Sequence, residues 1–278
     1  MAYRSILVHL DDGARVGVRL DIALALAADC DAHLTGLYAV DEPSIPSYAR
    51  AEAGRALSAA IEARRAEATQ AAKAFFSAAA KRAGGKSEWR AGQGGALGPT
   101  LLSARYADLV VVGQYEEDAK VDSGAGPDFV EELVLASGRP VLVVPYAGKF
   151  KRFGRKVLVA WNGSREAARA LSDALPLLER ADSVQVVVFN PKKTGGHGDV
   201  PGADIGLFLA RHGVKVQVAQ QTAKGLDIGS QILSRAADVD ADLIVMGCYG
   251  HSRMRELVLG GATRTLMESM TVPVLMSH

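Results

Sequence analysis

Short apolar runs alternate with amphipathic stretches along the whole chain. Most of the apolar runs are rich in valine, isoleucine and leucine, which is typical of strands buried on both faces of a sheet. Strands are predicted at residues 6–10, 34–40, 87–90, 109–112 and 141–144, and again at 157–161, 184–189, 214–219, 243–246 and 274–276. Helices are predicted at residues 17–28, 49–83, 98–105 and 129–136, and again at 165–178, 203–212, 227–237 and 262–269. The two lists have the same order of elements, so the chain is predicted to be a duplication.

Direct sequence matches support the duplication. The matched segments, in the same order in both halves, are residues 4–13 with 155–164, 107–115 with 241–249, and 140–143 with 273–276. A basic, glycine-containing segment at 146–154 separates them. We therefore predict two domains, 1–147 and 154–278.

Five strands alternating with four helices predict a Rossmann-like α/β domain with a doubly wound parallel sheet of strand order 3-2-1-4-5. Such sheets bind ligands beyond the carboxyl ends of their strands, where the strand order reverses, which here lies between the first and fourth strands. The fifth strand of each sheet is an apolar edge, and such edges are usually covered. We predict that the two fifth strands face each other about a pseudo-twofold axis as an intrachain pseudo-dimer, so that any further homodimer uses other surfaces.

Composition narrows the class of protein. The formal net charge is +1, which gives no basic field for nucleic acid or an anionic membrane surface. No run approaches the length of a membrane helix, and the N-terminal apolar stretch is too short for a signal peptide. The two cysteines, Cys30 and Cys248, form no disulfide framework or metal motif. A cytoplasmic protein without nucleic-acid or membrane partners is expected.

A glycine-rich loop follows the fourth strand of the second half. Gly247 and Gly250 are separated by two residues, and after nine further residues come Gly260 and Gly261 at a predicted helix start. Glycines let the backbone approach a ligand closely, and the unpaired amides of a helix start bind anions. The pattern predicts a phosphate site at the switch point of the second half.

This Gly-x2-Gly-x9-Gly loop, followed by Val-Pro-Val-Leu, resembles the ATP-binding signature of universal stress proteins, as does the opening Val-Leu-Val-x-x-Asn-Gly-Ser. The resemblance covers the whole chain as a tandem pair, with the adenine-nucleotide alpha-hydrolase-like fold. It implies ATP, with or without magnesium, at one site per chain, with its base near the end of the first strand. The implied site residues are Ala160, Trp161, Asn162, Phe189, Met246, Gly247, Gly250, His251, Gly260, Gly261, Ala262 and Thr263.

The sequence departs from the family pattern in both halves. Asn162 replaces the usual aspartate, and Gly261 stands where the family has serine or threonine. In the first half Asp11 and Gly113 are retained, but Glu116 stands at the second glycine position, and Pro127 and Asp128 replace the third glycine and its successor. The loop there contains the acidic residues Glu116, Glu117, Asp118 and Asp128. We expect these charges to repel a triphosphate, so only the second half is predicted to bind.

Several alternatives stay open at the level of sequence. His251 is either a phosphate donor or an exposed loop residue, and Cys248 is either a redox sensor or an inert thiol. The chain has no Gly-x-Ser-x-Gly elbow and no GxxxxGK[ST] loop, so at most slow ATP hydrolysis is expected. The leading hypothesis is a nucleotide-binding stress-response protein. The others are a scaffold or signalling module that binds no nucleotide, and an enzyme acting on an adenylated or phosphorylated small molecule.

Overall fold

The computed structural model describes residues 2–42, 47–119, 121–150, 153–191, 200, 202–222, 225–250 and 261–278. Strands and helices alternate through both halves. The strands are β1 (Ser5–Leu10), β2 (His33–Tyr38), β3 (Ser87–Ala91), β4 (Leu109–Gly113), β5 (Val141–Val144), β6 (Lys156–Trp161), β7 (Ser183–Phe189), β8 (Val216–Gln221), β9 (Leu243–Gly247) and β10 (Val274–Ser277). The helices are α1 (Val16–Cys30), α2 (Ser47–Ala83), α3 (Leu97–Ala104), α4 (Phe129–Ser137), α5 (Arg165–Leu178), α6 (Ala203–Arg211), α7 (Ile228–Asp238) and α8 (Gly261–Ser269).

The ten strands form one sheet in the order β3-β2-β1-β4-β5-β10-β9-β6-β7-β8. Read from its two edges toward its centre, the sheet repeats the predicted order 3-2-1-4-5, and the strands within each half are parallel. The α/β fold class is therefore confirmed. The limits of the two domains, 1–147 and 154–278, stay a prediction.

The two halves meet at their fifth strands. β10 pairs antiparallel with β5, and Leu275 lies opposite Leu142. Both side chains are fully buried. On each face of the sheet, one buried apolar cluster contains residues of both halves. The prediction that the two apolar edges cover each other is confirmed.

The repeated Ala-Asp-Leu segments make the same contacts in both halves. The carboxylate of Asp108 accepts hydrogen bonds from the backbone N–H groups of Arg4 and Ser5, at 2.7 and 3.0 Å. The carboxylate of Asp242 accepts from the N–H groups of Arg155 and Lys156. Each aspartate therefore satisfies backbone donors at the start of the neighbouring central strand, which explains why both halves contain it.

The predicted elements are all present, with bounds shifted by a few residues. One element differs in kind: the long helix predicted at 49–83 is interrupted within α2. Gly54 has φ +47° and ψ −134°, outside the helical region, so the chain is kinked there. Glycine adopts this conformation because it has no Cβ to collide with the preceding peptide.

A glutamine links the two halves beside the central strand pair. Gln114 follows β4, and its Nε2 donates to the carbonyl of Met267 in the last turn of α8, at 2.7 Å. Its Oε1 accepts from the N–H of Tyr146 at 3.2 Å. The last carbonyls of a helix have no partner within the helix, so Gln114 provides a donor for α8 from the other half.

Replacing Gln114 by alanine removes both hydrogen bonds at a buried position. We expect the free energy of unfolding to fall by about 1–3 kcal/mol, because buried backbone groups lose their partners. Urea denaturation measures the change, with Gln70→Ala on the exposed surface of α2 as the matched control. Equal unfolding midpoints for the two variants would contradict this role for Gln114.

Candidate functional site

The switch point of the second half lies where β6 and β9 end. These strands are parallel neighbours, with Ala160 of β6 opposite Met246 of β9. α5 begins four residues after β6, and α8 follows the loop after β9. Because helix starts present unpaired amides, this edge of the sheet has the polarity that favours anions.

The turn between β6 and α5 is built by its polar residues. Asn162 Oδ1 accepts from the N–H of Ser164 at 3.1 Å, and Gly163 between them has φ +74°. Ser164 Oγ then accepts from the N–H of Ala167 at 3.1 Å and caps α5. Asn162 is exposed at the tip of this turn. The amide that replaces the family's aspartate is thus partly engaged in forming its own turn.

The predicted base-binding residues lie on two different faces of the sheet. Phe189 and Met246 are buried in one apolar cluster, and Ala160 packs against the same cluster. Trp161 packs against the cluster of the opposite face. Successive residues of a strand point to opposite faces, which explains this separation. The structure therefore brings Ala160, Phe189 and Met246 together and does not bring Trp161 to them.

The absence of a side chain at Gly247 is needed for the close packing of α5. A Cβ at this position would collide with backbone atoms of Glu166 and Ala167, at the start of α5. The missing side chain thus allows α5 to approach the end of β9. The prediction that Gly247 lines a phosphate stays untested, and the packing of α5 is a sufficient reason for glycine here.

Gly250 and Gly261 differ from Gly247, since both are exposed. A Cβ at Gly261 would meet no atom of the described residues within 4 Å, so none of them fills the space beside the first turn of α8. A Cβ at Gly250 would lie 2.6 Å from Glu166 Oε2 and 3.3 Å from its Cδ. The carboxylate of Glu166 therefore lies directly over Gly250.

The remaining predicted residues belong to α8 and the loop before it. Ala262 is half-buried, and Thr263 is buried with 3% of its surface exposed. Thr263, which would have to supply the hydroxyl missing at Gly261, thus has little contact with solvent. His251 and Gly260 lie outside the described residues.

Cys248 has the surroundings of an inert thiol. It is buried, and its Sγ donates to the carbonyl of Ser277 at 3.3 Å. Burial raises the pKa of the thiol far above its ordinary value, and the negative charges of Glu166 and Glu131 raise it further. The thiolate needed for redox chemistry is therefore disfavoured at neutral pH.

The switch point of the first half is filled by a buried ion pair. Arg19 of α1 donates to Asp11 Oδ1 at 2.7 Å, and His9 Nδ1 lies 3.9 Å from Asp11 Oδ2. A Cβ at Gly113, the counterpart of Gly247, would collide with the guanidinium of Arg19. The retained aspartate is thus neutralised by the protein's own arginine.

A loop closes over this ion pair. The N–H of Asp12 donates to the carbonyl of Ser123 at 3.1 Å, and that of Asp41 donates to the carbonyl of Gly124 at 2.6 Å. The carboxylate of Asp41 accepts from the N–H of Gly126 at 3.3 Å. The acidic residues expected to repel a phosphate, Glu116, Glu117, Asp118 and Asp128, are exposed. The buried ion pair and the loop above it therefore obstruct a ligand more directly than these exposed charges do.

Sequence reasoning missed three residues at these switch points. Arg19 and Glu166 are charged residues in helix starts whose neighbours come from distant segments, and no local spacing identifies them. Tyr249 has φ +60° and packs against the same cluster as Phe189 and Met246. A left-handed conformation at a residue other than glycine is uncommon, and the sequence alone does not indicate it.

The described residues contain neither a candidate metal site nor a candidate membrane span. No cluster of three or more histidine, cysteine, aspartate or glutamate side chains there is arranged to hold a metal ion. Within the same residues, no helix combines the length and the apolar character needed to cross a membrane.

Comparison with known proteins agrees with the fold. Universal stress protein Slr1230 of Synechocystis is 28% identical over 173 residues, which are 60% of this chain and 57% of that protein. The chain thus spans somewhat more than half the length of this relative. The crystal structure of a universal stress protein from Archaeoglobus fulgidus has a TM-score of 0.73 at 16% identity, covering 98% of this chain and 97% of that one. A functionally unknown protein, PA1789 of Pseudomonas aeruginosa, has a TM-score of 0.59 at 18% identity, covering 99% of this chain and 92% of that one.

The structural likenesses concern the fold alone, and the sequence match to a family covers the second half of the chain. The model of the universal stress protein family matches residues 154–278, the half that contains the glycine loop. Residues 154–278 thus match the universal stress protein family, and the chain as a whole is similar to universal stress proteins in sequence and in fold.

Proposed function

We propose that the chain binds one adenine nucleotide, ATP, at the carboxyl ends of β6 and β9, and acts as a nucleotide-binding protein in a cytoplasmic stress response or its signalling. The observation that carries the proposal is that none of the described residues fills the space over Gly261 at the start of α8, the helix that follows β9. Unpaired amides at a helix start favour phosphate groups.

Three of the apolar residues expected to contact the base share one face of the sheet. Ala160, Phe189 and Met246 share the apolar cluster to which Leu266 of α8 belongs. A ligand with its phosphates at Gly261 would thus have an apolar wall within the same layer of the molecule. Such a combination of an apolar wall and a few polar groups is typical of small-molecule sites.

The proposed stoichiometry is one nucleotide per chain. Arg19 fills the space beside Gly113 in the first half, and Asp41 holds the loop 122–126 over it. Titration calorimetry with ATP, with and without magnesium, tests this number directly. Two equivalent sites per chain would refute it.

Replacing Gly250 by aspartate is expected to weaken ATP binding at least about a hundredfold. The new carboxylate would lie beside the carboxylate of Glu166 and next to the proposed phosphate position, where like charges oppose each other. The matched control is Gly98→Asp, at an exposed glycine in the first turn of α3 where a Cβ would meet no described atom within 4 Å. Unchanged ATP affinity in a folded Gly250→Asp variant would place the site elsewhere.

One observation favours the second candidate, a scaffold or signalling module that binds no nucleotide. The carboxylate of Glu166 lies in the space over Gly250 that a phosphate would approach. Mass spectrometry of ligand released from the purified protein separates the two candidates. A turnover assay with labelled ATP tests separately for the slow hydrolysis that the proposal allows.

A further inference from the structure

Glu166 stands at the point where the proposed phosphate site meets α5. It is the second residue of that helix, after the cap Ser164, and 5% of its surface is exposed. Its Oε2 lies 2.6 Å from where a Cβ of Gly250 would be. A carboxylate oxygen thus occupies the space that the glycine leaves open.

Arg165 holds the other oxygen of this carboxylate. Its Nε and one terminal nitrogen lie 3.0 and 2.9 Å from Glu166 Oε1. The arginine side chain is 79% exposed, whereas that of Glu166 is 7% exposed. The ion pair therefore fixes Oε1 on the solvent side and leaves Oε2 directed at Gly250.

The carboxylate is ionised at neutral pH. Burial by itself raises the pKa of Glu166, but hydrogen bonds from its own N–H and from Arg165, together with the arginine charge, lower it below its ordinary value. The start of α5 also favours a negative charge. The conditions that favour a phosphate at this edge of the sheet thus already favour the protein's own anion.

A phosphate oxygen approaching Gly250 would meet this carboxylate at contact distance. Two anions that close oppose each other strongly in a partly desolvated site. This electrostatic repulsion grows with the number of charged phosphate groups on the ligand, and it is absent for a ligand without phosphate.

We propose that Glu166 is a specificity-determining residue of this site, which weakens binding of adenine ligands in proportion to the phosphate charge they bring to Gly250. The inference rests on the proposed function and goes beyond it, because it assigns charge discrimination to one side chain. Glu166 competes with the phosphates for the amides at this edge, and an uncharged side chain of the same shape does not.

The test compares the wild-type chain with Glu166→Gln. Titration calorimetry gives the affinities for adenosine, AMP, ADP and ATP at low and at moderate salt. We expect ATP to bind about tenfold more tightly to the variant, within the usual range for a single coupling between neighbouring groups, and adenosine to bind both proteins equally. Added salt should reduce the difference for ATP, because a charge effect is screened.

The control is Glu179→Gln, which removes the same charge from an exposed position at the opposite end of α5. It should leave the affinities for all of these ligands unchanged. Glu166→Ala provides a second variant, with the same expected order of ligands, if the glutamine variant does not fold.

Three outcomes overturn the inference and remain distinguishable. Equal ATP affinity in the wild type and Glu166→Gln refutes the role of Glu166 and leaves the nucleotide site intact. An equal gain for ATP and adenosine shows a change of shape rather than of charge. No binding of any of these ligands to either protein refutes the proposed function together with the inference.

Discussion

Replacing Arg19 by alanine should lower the free energy of unfolding by about 3–5 kcal/mol, because it leaves a buried carboxylate without its counter-ion. The side chains of Arg19 and Asp11 are 4% and 7% exposed, and their closest nitrogen and oxygen are 2.7 Å apart. Burial raises the pKa of Asp11, but Arg19, and to a lesser degree His9, lower it, and the net shift is downward. Without Arg19 the effect of burial is opposed only by His9 and by the hydrogen bond from the N–H of Gly13.

A surface pair provides the control for this prediction. Arg180 and Asp29 link the two halves with a nitrogen–oxygen distance of 2.9 Å, but their side chains are 41% and 59% exposed. Arg180→Ala should therefore cost about 1 kcal/mol or less. Urea denaturation at neutral pH measures both variants, and similar losses for the two would contradict the assignment of Arg19.

A double variant separates two contributions: the lost attraction between Arg19 and Asp11, and the cost of leaving the Asp11 carboxylate buried without a counter-ion. Arg19→Met combined with Asp11→Leu removes both charges and fills their positions with apolar side chains. We expect it to be more stable than Arg19→Ala, because no unpaired charge remains buried. Equal stability of the single and double variants would assign the loss to packing alone.

The strand order and the pairing of the two halves could be predicted because each rests on a local pattern. β1 and β6 are read from runs of apolar residues, and the repeat fixes that both halves have the same order. The apolar character of residues 141–144 and 274–276 identifies two edges that need covering, and each is the partner the other requires. These inferences need no knowledge of individual side-chain contacts.

The sequence alone does not show why each of these positions is a glycine. Gly247, Gly250 and Gly261 belong to one motif, yet the first allows the backbone of α5 to approach, the second lies under a carboxylate, and the third has no described residue within 4 Å of its Cβ position. Only contacts between segments distant along the chain separate these roles. In the first half, Gly113 stands at the position of Gly247, but the guanidinium of Arg19 fills the space beside it.

The kink in α2 was missed for a related reason. Gly54 stands in a run of alanine, arginine and glutamate that strongly favours a helix, and the composition of the segment dominates any prediction. A single glycine permits a break without requiring one.

Acidification should destabilise the protein by about 3 kcal/mol between pH 6.5 and 4 through His9 alone. His9 is fully buried, and its pKa is lowered from 6.5 to about 4, chiefly by burial. Arg19 also lowers it, whereas Asp11, the carbonyl of Ala39 and Asp41 raise it. In the unfolded chain the same imidazole binds its proton near pH 6.5. The unfolded state therefore binds more protons in this range, and stability present above pH 6.5 is lost as the pH falls toward 4.

The contacts of His9 explain why it stays neutral. Its Nε2 lies 2.7 Å from the carbonyl of Ala39, which only accepts, so Nε2 carries the proton. Its Nδ1 is buried without a hydrogen-bond partner among the described residues, and Asp11 is already paired with Arg19. Protonating Nδ1 would add a second cation to a buried cluster that has its charges balanced.

His9→Gln tests this linkage, because the glutamine amide reaches the same carbonyl and does not titrate. Urea denaturation from pH 7 to pH 4 should show a smaller loss of stability for the variant than for the wild type. His212→Gln, at an exposed position at the end of α6, serves as the control and should keep the wild-type slope. The lowered pKa of Asp11 places its own loss of stability below its ordinary value of 3.8, outside this range, so it does not obscure the result. Parallel curves for the wild type and His9→Gln would mean that another group is responsible for the acid sensitivity.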